Sequence, residues 1–520
     1  MQARRLVAVL LLIGLWVLPV AAGAAPSRVP PNVLVFGLGI ESAVSLDPAH
    51  GFEFESTWVM QHLYDTLVDL PRDFSRAIPK AAVSWTASAD LKTYTFRLRP
   101  GMRFHSGNVV NAQAVEFSLR RVMQLKLSPS FIITDFVAKQ EDIVAVGNDQ
   151  VRVTFNQAMP ENFMAAIISN EVASIVDPAV VRRNAAAGDP LANKWLSDHD
   201  AGSGPYELIG WNRNLKVEMK AFDNYWAGRP TIGRVFVQNI PEATAQQLAL
   251  QRGDIDVALN LLPSQARALS GQAGFTVKQT PEFSVLYMAM NALYGPFRSI
   301  QVRNAIRYAI DYEGVRRIYE DALDTGQTIV PARMFGHLAD RPFRRDLDRA
   351  RGLMREGGFP NGFNVELVSG NTPPLPDLAA KVKEDLAAIG INVTIRVLRG
   401  AEVLAIYRGQ QHQLVFGRWG ADYPDPDNLA KAFGDFDSRV LAWRNQWDHP
   451  IKQVVKQAVV ERDRAKRDAM YKDIQRTILN EGPYVIFGYR LRLIAMRSNI
   501  KGIDPSPLAY TFNFAEASKE

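Results

Sequence analysis

A chain of 520 residues is long enough for two or three domains, and 47% hydrophobic with 22% charged residues is typical of a folded protein with large cores. The absence of cysteine excludes disulfides, thiol catalysis and a lipid anchor attached through cysteine. The formal net charge of +6 is a small difference between 60 basic and 54 acidic residues mixed along the chain, so no nucleic-acid partner is expected.

The first 25 residues predict a cleavable signal peptide. Arg4 and Arg5 form a basic start, residues 6–20 form an apolar run, and residues 22–25 offer small-residue cleavage sites. The run is short for a membrane span, and no later stretch reaches the roughly 18 uninterrupted apolar residues of a spanning helix. We therefore expect a protein exported to the periplasm and soluble there; an uncleaved anchor is the alternative.

The first part of the mature chain predicts a small α+β unit within residues 57–199. Alternating apolar residues predict its strands, and apolar residues three or four apart predict its helices. A predicted strand at 32–37 opens the fold ahead of this unit. The predicted elements of the unit are, in chain order, a helix at 58–67, strands at 83–85 and 93–98, a helix capped by Asn111, and a hairpin over 143–155 that turns at 147–149.

The rest of the chain alternates strands and helices in a βαβ rhythm, which predicts the α/β class. The predicted elements are a strand at 235–237, a helix at 243–250 stopped by Gly253, a strand at 284–290, helices near 302–310, 347–354 and 378–389, a strand at 391–397, a long helical region over 451–478 broken near 462–466, and a strand at 483–487.

Residues 418–428, which read RWGADYPDPDN, are the strongest candidate for a functional site. They follow the apolar run 414–416, the end of a predicted buried strand, and two prolines within three positions then forbid regular structure. The ring of Trp419 and the carboxylate of Asp422 are thus left at a strand end, where α/β proteins usually bind ligands. The alternative is a polar turn whose side chains only bond their own backbone.

The residues that other kinds of site require are missing from the sequence. No Gly-rich phosphate loop and no nucleophile elbow has the required spacing. The 7 histidines are scattered, and Asp422, Asp425 and Asp427 lack the distal glutamate of a calcium loop. We therefore expect neither enzyme activity nor a metal or other cofactor.

Five segments, in order, resemble motifs of the family 5 extracellular solute-binding proteins, the periplasmic dipeptide, oligopeptide and nickel-chelate receptors of ABC importers. The likeness runs over nearly the whole mature chain, and the shared order makes it more specific than any single motif. The segments are residues 98–107 (LRPGMRFHSG), the helix at 111–121, residues 202–206 (GSGPY) with Trp211 and Tyr225-Trp226, residues 302–310 (VRNAIRYAI), and residues 419–428 (WGADYPDPDN).

The resemblance implies an α/β, two-lobe periplasmic-binding-protein fold with a hinge and an extra α+β domain inserted in the first lobe. Such a protein binds by closing its lobes around a ligand, a hinge motion that favours the bound state through additional contacts. The implied parts are lobe I at 26–56, 200–283 and 487–520, the inserted domain at 57–199, and lobe II at 284–486, with the hinge crossings near 284 and 486.

In peptide-binding members of the family, the Asp of the last motif pairs with the ligand's α-ammonium group and the Trp packs on the ligand. The resemblance implies these roles for Asp422 and Trp419; a turn or N-cap bond and plain core packing are the alternatives. Arg418 stands where the family usually has Gly, and it either meets an acidic group on the ligand or points into solvent.

Five further residues are weaker candidates for the same site. Phe52, Glu53 and Phe54 occupy the position of a family segment that lies beside the ligand. Tyr489 lies at the return crossing, and Tyr423 follows the aspartate of the motif. A structural role is the alternative for each.

The resemblance implies a periplasmic substrate-binding protein of an ABC transporter that captures di- or oligopeptides and delivers them to a membrane permease and its ATPase subunits. A metal chelate, an opine or another amino-bearing metabolite is the alternative ligand, which Arg418 motivates. A periplasmic hydrolase is a third hypothesis, which rests only on the clustered carboxylates. We expect the receptor to be a monomer.

Overall fold

A computed structural model describes residues 25–74, 76–213, 215–508 and 513–520. The predicted signal peptide, residues 1–25, lies outside the described residues except for Ala25. Across the described ranges, no helix combines the length and the apolar character that crossing a membrane requires.

The strands vary from two to sixteen residues, and the two longest, β12 and β17, decide the architecture. In chain order, the strands are β1 Val33–Leu38, β2 Val68–Asp69, β3 Ile78–Pro79, β4 Ala82–Ala87, β5 Thr93–Leu98, β6 Ile143–Val146, β7 Gln150–Thr154, β8 Tyr206–Asn212, β9 Lys216–Ala221, β10 Arg234–Asn239, β11 Val257–Ala258, β12 Phe275–Met290, β13 Leu323–Asp324, β14 Phe363–Gly370, β15 Ile391–Leu398, β16 Leu414–Gly420, β17 Tyr484–Arg497, β18 Ile500–Lys501 and β19 Ser518–Lys519.

The α-helices lie between these strands along most of the chain. In chain order, they are α1 Phe54–Leu63, α2 Ala112–Leu125, α3 Phe131–Thr134, α4 Glu161–Ile168, α5 Pro178–Arg183, α6 Asn193–Leu196, α7 Ala243–Arg252, α8 Pro263–Leu269, α9 Ile300–Ala309, α10 Tyr312–Ile318, α11 Leu347–Glu356, α12 Leu375–Ala387, α13 Gly400–Arg408, α14 Pro426–Gly434, α15 Leu441–Arg444, α16 Ile451–Ala458 and α17 Arg464–Glu481.

One mixed sheet runs through the molecule in the order β15-β14-β16-β12-β17-β11-β1-β10-β9-β8. Its two halves are joined by the antiparallel pair β12 and β17, which runs from Phe275 opposite Arg497 to Ala289 opposite Tyr484. Successive side chains of β12 enter different cores, with Leu286 in the core that contains residues of α9 and α12, and the next side chain in the core of α14 and α17. The predicted α/β class is confirmed, and the two crossing strands are much longer than the predicted strands at 284–290 and 483–487.

A separate four-stranded sheet, β4-β5-β7-β6, packs with α2 and α4 around a core of its own. The predicted hairpin over 143–155 forms β6 and β7 of this sheet. Residues 58–64 and 176–196, which the sequence placed in the inserted domain, contribute side chains to the core of β1 and β8–β10 instead. We therefore propose limits near 65 and 175 for the inserted unit, and the other lobe boundaries remain predictions.

Two predicted elements have different bounds in the structure. Helix α1 spans 54–63 rather than 58–67, because Tyr64 is extended and Leu67 turns into the core of the inserted unit. Strand β16 continues to Gly420, four residues past its predicted end, because it pairs with β12 as far as Ser284. The long helical region is broken as predicted, between α16 and α17.

A buried histidine joins two of the sequence motifs. Nδ1 of His105 lies 2.7 Å from Oδ1 of Asp200, and its Nε2 lies 3.0 Å from the carbonyl oxygen of Gly204. Both ring nitrogens face acceptors, so the protonated ring donates to each. Burial lowers the pKa of His105, but the charge and hydrogen bond of Asp200 outweigh burial, so the pKa lies above its usual value. The pKa of Asp200 is correspondingly lowered, although burial opposes this.

We predict that His105→Ala lowers the free energy of unfolding by about 3 kcal/mol at pH 6, because it leaves Asp200 buried without its cation. The contribution of a histidine with a raised pKa is complete below its unfolded pKa of about 6.5, and it is lost as pH rises through the folded pKa. Urea unfolding at pH 6 and pH 9 measures this difference. His199→Ala, at an exposed histidine beside Asp198, is the matched control. Equal losses for the two variants would contradict the assignment.

Candidate ligand-binding site

The loop at residues 421–425 joins β16 to α14, and its far end is held rigidly. Pro426 begins α14, a position where a backbone N–H would have no partner within the helix. Oδ1 of Asp425 caps the helix by accepting a hydrogen bond from the backbone N–H of Asp427 at 3.0 Å. Arg467 of α17 donates to both oxygens of Asp425, at 2.9 and 2.7 Å, and both side chains are 4% exposed. A buried bidentate ion pair therefore fixes the end of this loop.

Asn428 connects the two main candidate residues. Its Oδ1 accepts hydrogen bonds from Nε1 of Trp419 at 3.1 Å and from the backbone N–H of Asp422 at 3.3 Å. Its Nδ2 donates to Oδ2 of Asp422 at 3.1 Å. Local spacing predicts no role for Asn428, because it does not show a hydrogen bond across six residues between a loop and a helix.

The Asp422 carboxylate is partly buried, and burial raises its pKa to about 6, although the hydrogen bond from Asn428 acts in the opposite direction. Within the described ranges, no lysine, arginine or histidine nitrogen lies within 4 Å of it. Its backbone carbonyl accepts a hydrogen bond at 3.0 Å from Asn170 of the inserted unit. The carboxylate is thus held in place by Asn428. A cation that bound beside it would favour the ionised form and lower its pKa again.

Trp419 is partly buried and packs against the core that contains Val285 and Val415. Its indole N–H is already bonded to Asn428, which fixes the ring at the end of β16. The structure therefore places Trp419 beside Asp422, with part of the ring still accessible.

Arg418 is exposed, and its guanidinium carbon lies 5.8 Å from the ring centroid of Phe54, within cation–π range. This contact brings the start of α1 next to β16. Glu53 accepts hydrogen bonds from the backbone N–H of Phe52 and from Ser56 at 3.3 and 3.2 Å, while the Phe52 ring meets Phe131 edge-on at 5.8 Å. Phe54 is therefore brought to Arg418, whereas Phe52 packs against the inserted unit and Glu53 bonds to residues close to it in the chain.

Tyr423 and Tyr489 are both engaged in cores. Tyr423 is 3% exposed, its ring lies 5.8 Å from Phe163, and its hydroxyl donates to Asp427 at 2.8 Å. Tyr489 is fully buried and shares its hydroxyl with the side chain and carbonyl of Thr328, each at 2.9 Å. These contacts favour a structural role for both tyrosines.

A charged group at the crossing strands was missed by the sequence analysis. Nε of Arg492 lies 3.3 Å from Oε1 of the buried Glu282, and Ser284 donates to Oε2 at 3.1 Å. Burial raises the pKa of Glu282, but Arg492, Arg490 and Arg418 together lower it to about 2. The sequence does contain a signal for this group. Arg490 and Arg492 are separated by one residue in a strand, and alternate residues of a strand share a face.

The chain matches the bacterial extracellular solute-binding proteins, family 5 (middle), over residues 76–438, more than half of its length. It is 26% identical over 504 residues to the probable D,D-dipeptide-binding periplasmic protein DdpA of Escherichia coli (strain K12). This alignment covers 95% of this chain and 96% of that protein.

Solved structures show the same fold. The periplasmic binding protein DppA from Helicobacter pylori in complex with the peptide STSA superposes with a TM-score of 0.78 at 24% identity, over 96% of this chain and 99% of that one. AgaA in complex with agropinic acid, from A.tumefacien R10, superposes with a TM-score of 0.75 at 23% identity, over 94% and 99%. The chain belongs to the family 5 bacterial extracellular solute-binding proteins and has their α/β periplasmic-binding-protein fold.

Proposed function

We propose that this solute-binding protein is the periplasmic receptor of an ABC importer and that it captures di- or oligopeptides by their α-ammonium group. The observation that carries the proposal is the Asp422 carboxylate, which is partly buried, oriented by Asn428, and without a cation within 4 Å in the described chain. A ligand ammonium would supply that cation through a charge-assisted hydrogen bond. Trp419 beside it would pack on the ligand.

Closure of the two lobes about β12 and β17 would complete the site. These strands cross from one half of the sheet to the other, so bending within them moves the halves relative to each other. The register of the pair is irregular between Pro281 and Val285 and again between Leu286 and Tyr287, next to the end of β16. A bend at these points would move lobe I, with residues 52–54, towards Asp422 and exclude water.

Export and delivery follow from the same proposal. The predicted signal peptide would send the chain to the periplasm, where the similar DdpA is described as a D,D-dipeptide-binding protein. A membrane permease and its ATPase subunits would be the partners of a monomeric receptor. The comparisons favour a receptor over a hydrolase, because the similar proteins are described as binding proteins and not as enzymes.

An amino-bearing metabolite is the second candidate ligand. AgaA holds agropinic acid in the same fold, and a shared fold does not select a ligand. The observation that favours this candidate is Arg418, whose exposed guanidinium lies on the same strand as Trp419.

We predict that Asp422→Asn weakens the binding of Ala-Ala or Ala-Ala-Ala by 10- to 100-fold, the size of about 1.5–3 kcal/mol for a hydrogen bond to a charged group. Titration calorimetry measures the affinity, and N-acetylated Ala-Ala, which lacks the ammonium group, should bind neither protein. Asp348→Asn, at a fully exposed carboxylate on α11, is the matched control. Unchanged affinity in Asp422→Asn would remove the ammonium-pairing role.

The affinity for such a ligand should depend on pH through Asp422. Its pKa of about 6 means that the carboxylate is ionised above pH 6 and protonated below it, so affinity should be steady near pH 7 and fall towards tenfold per unit below pH 6. Calorimetry between pH 5 and 7.5 measures this. Burial also raises the pKa of Asp427 to about 6. The dependence should therefore vanish in Asp422→Asn; if it persists there, Asp427 and not Asp422 is the titrating group.

A further inference from the structure

The inserted unit packs against the loop at residues 421–425, which belongs to the other half of the molecule. Tyr423 of this loop is 3% exposed and lies in the core of the inserted unit. Its ring centroid is 5.8 Å from that of Phe163 on α4, and it meets the Phe136 ring edge-on at 6.3 Å. The Phe163 ring also lies 5.6 Å from the guanidinium carbon of Arg467, the residue that fixes the end of the loop.

Two polar contacts accompany the Tyr423 ring. Nζ of Lys431, on α14, lies 2.8 Å from Oδ2 of Asp135, at the end of α3. Burial lowers the pKa of Lys431, but the hydrogen bond and charge of Asp135 outweigh burial, so this pKa lies above its usual value. Nδ2 of Asn170 donates to the backbone carbonyl of Asp422 at 3.0 Å. Together with the Tyr423 ring, these two contacts form a clasp between the inserted unit and the loop.

Asp422 lies at the centre of this clasp. Its backbone carbonyl is held by Asn170, and the next residue in the chain is Tyr423. The Tyr423 hydroxyl donates to Asp427 of α14 at 2.8 Å, so the ring is bonded to its own half of the molecule while it packs in the inserted unit. Opening the clasp would therefore remove two constraints on the backbone that carries the Asp422 carboxylate.

The inserted unit is anchored to lobe I by buried contacts. Arg121 of α2 donates to both oxygens of Asp47 at 2.7 and 2.5 Å, and these side chains are 2% and 0% exposed. The buried carboxylate of Asp65 accepts hydrogen bonds from Ser203 at 3.1 Å and from Trp226 at 3.2 Å. The ion pair of the clasp is partly exposed by comparison. When the lobes part about β12 and β17, the inserted unit should therefore stay with lobe I, and the clasp should break.

We propose that the clasp holds the two lobes closed, with Tyr423, Asn170 and the Asp135–Lys431 pair acting as positioning residues for Asp422. The inference rests on the proposed function, because it treats Asp422 as the group that meets the ligand. Contacts that exist only in the closed form favour that form. A ligand in the closed site leaves only after the clasp has opened, so the clasp should slow dissociation more than association.

Label distances test the clasp directly. The chain has no cysteine, so two introduced cysteines can be spin-labelled selectively. Gln124→Cys on α2 and Gln457→Cys on α16 are exposed positions, one on the inserted unit and one on the half that carries the loop. Pulsed electron resonance measures the distance between the labels with and without saturating Ala-Ala. Asp135→Lys places a second cation beside Lys431 and should shift this distance to longer values.

A charge swap and a matched control separate the clasp from a general loss of stability. Asp135→Lys combined with Lys431→Asp restores an ion pair of opposite polarity, so it should restore the wild-type distance. Asp437→Lys changes an exposed carboxylate that pairs with Lys456 within one half, so it should leave the distance unchanged. Stopped-flow fluorescence should show that Asp135→Lys raises the dissociation rate constant of Ala-Ala by roughly three- to tenfold, with a smaller change in the association rate constant.

The possible results separate this inference from the proposed function. Equal label distances in wild type and Asp135→Lys under both conditions would overturn the clasp, while the peptide receptor stands if Ala-Ala binds. A longer distance without faster dissociation of Ala-Ala would overturn the positioning role. If the distance shifts and the charge swap restores it, but neither Ala-Ala nor Ala-Ala-Ala binds, the clasp stands and the peptide proposal falls.

Discussion

The candidate site depends on the buried ion pair between Asp425 and Arg467. Both oxygens of the carboxylate are bonded within 2.9 Å, and the same carboxylate caps the first turn of α14. Removing either partner would leave a buried charge, at a cost of about 3–5 kcal/mol. Because this pair fixes where α14 begins, it also fixes Asn428 in the first turn, and Asn428 in turn orients Trp419 and Asp422.

The chemistry of the site follows from the different surroundings of two carboxylates, Asp422 after the end of β16 and Glu282 on β12. Asp422 is a carboxylate that burial makes harder to ionise, while Glu282 is a carboxylate that surrounding arginines keep ionised well below its usual pKa. The surroundings of Asp422 therefore favour an arriving cation, whereas Glu282 already has the countercharge of Arg492. The ammonium group of a ligand would satisfy Asp422, and closure about β12 and β17 would strengthen that interaction by removing water.

Local pattern predicted the elements whose contacts are local, such as the hairpin at 143–155 and the helix that Asn111 caps by accepting the N–H of Ala114 at 2.9 Å. Its failures involve contacts between distant segments. Strand β16 runs on to Gly420 because β12 pairs with it, and Asn170 reaches the site from the inserted unit. The motif supplied Asp422 and Trp419 as candidates, but the arginines of β17 join Arg418 only after the sheet has assembled.

We propose that the protein carries an amino-bearing ligand held at Asp422. Native mass spectrometry of protein purified gently from a periplasmic extract, followed by denaturation and identification of what is released, tests this most directly when wild type and Asp422→Asn are compared. We expect a set of peptide masses on the wild-type protein and their loss from the variant. A released compound without an amino group, or the same compound retained equally by both proteins, would contradict it.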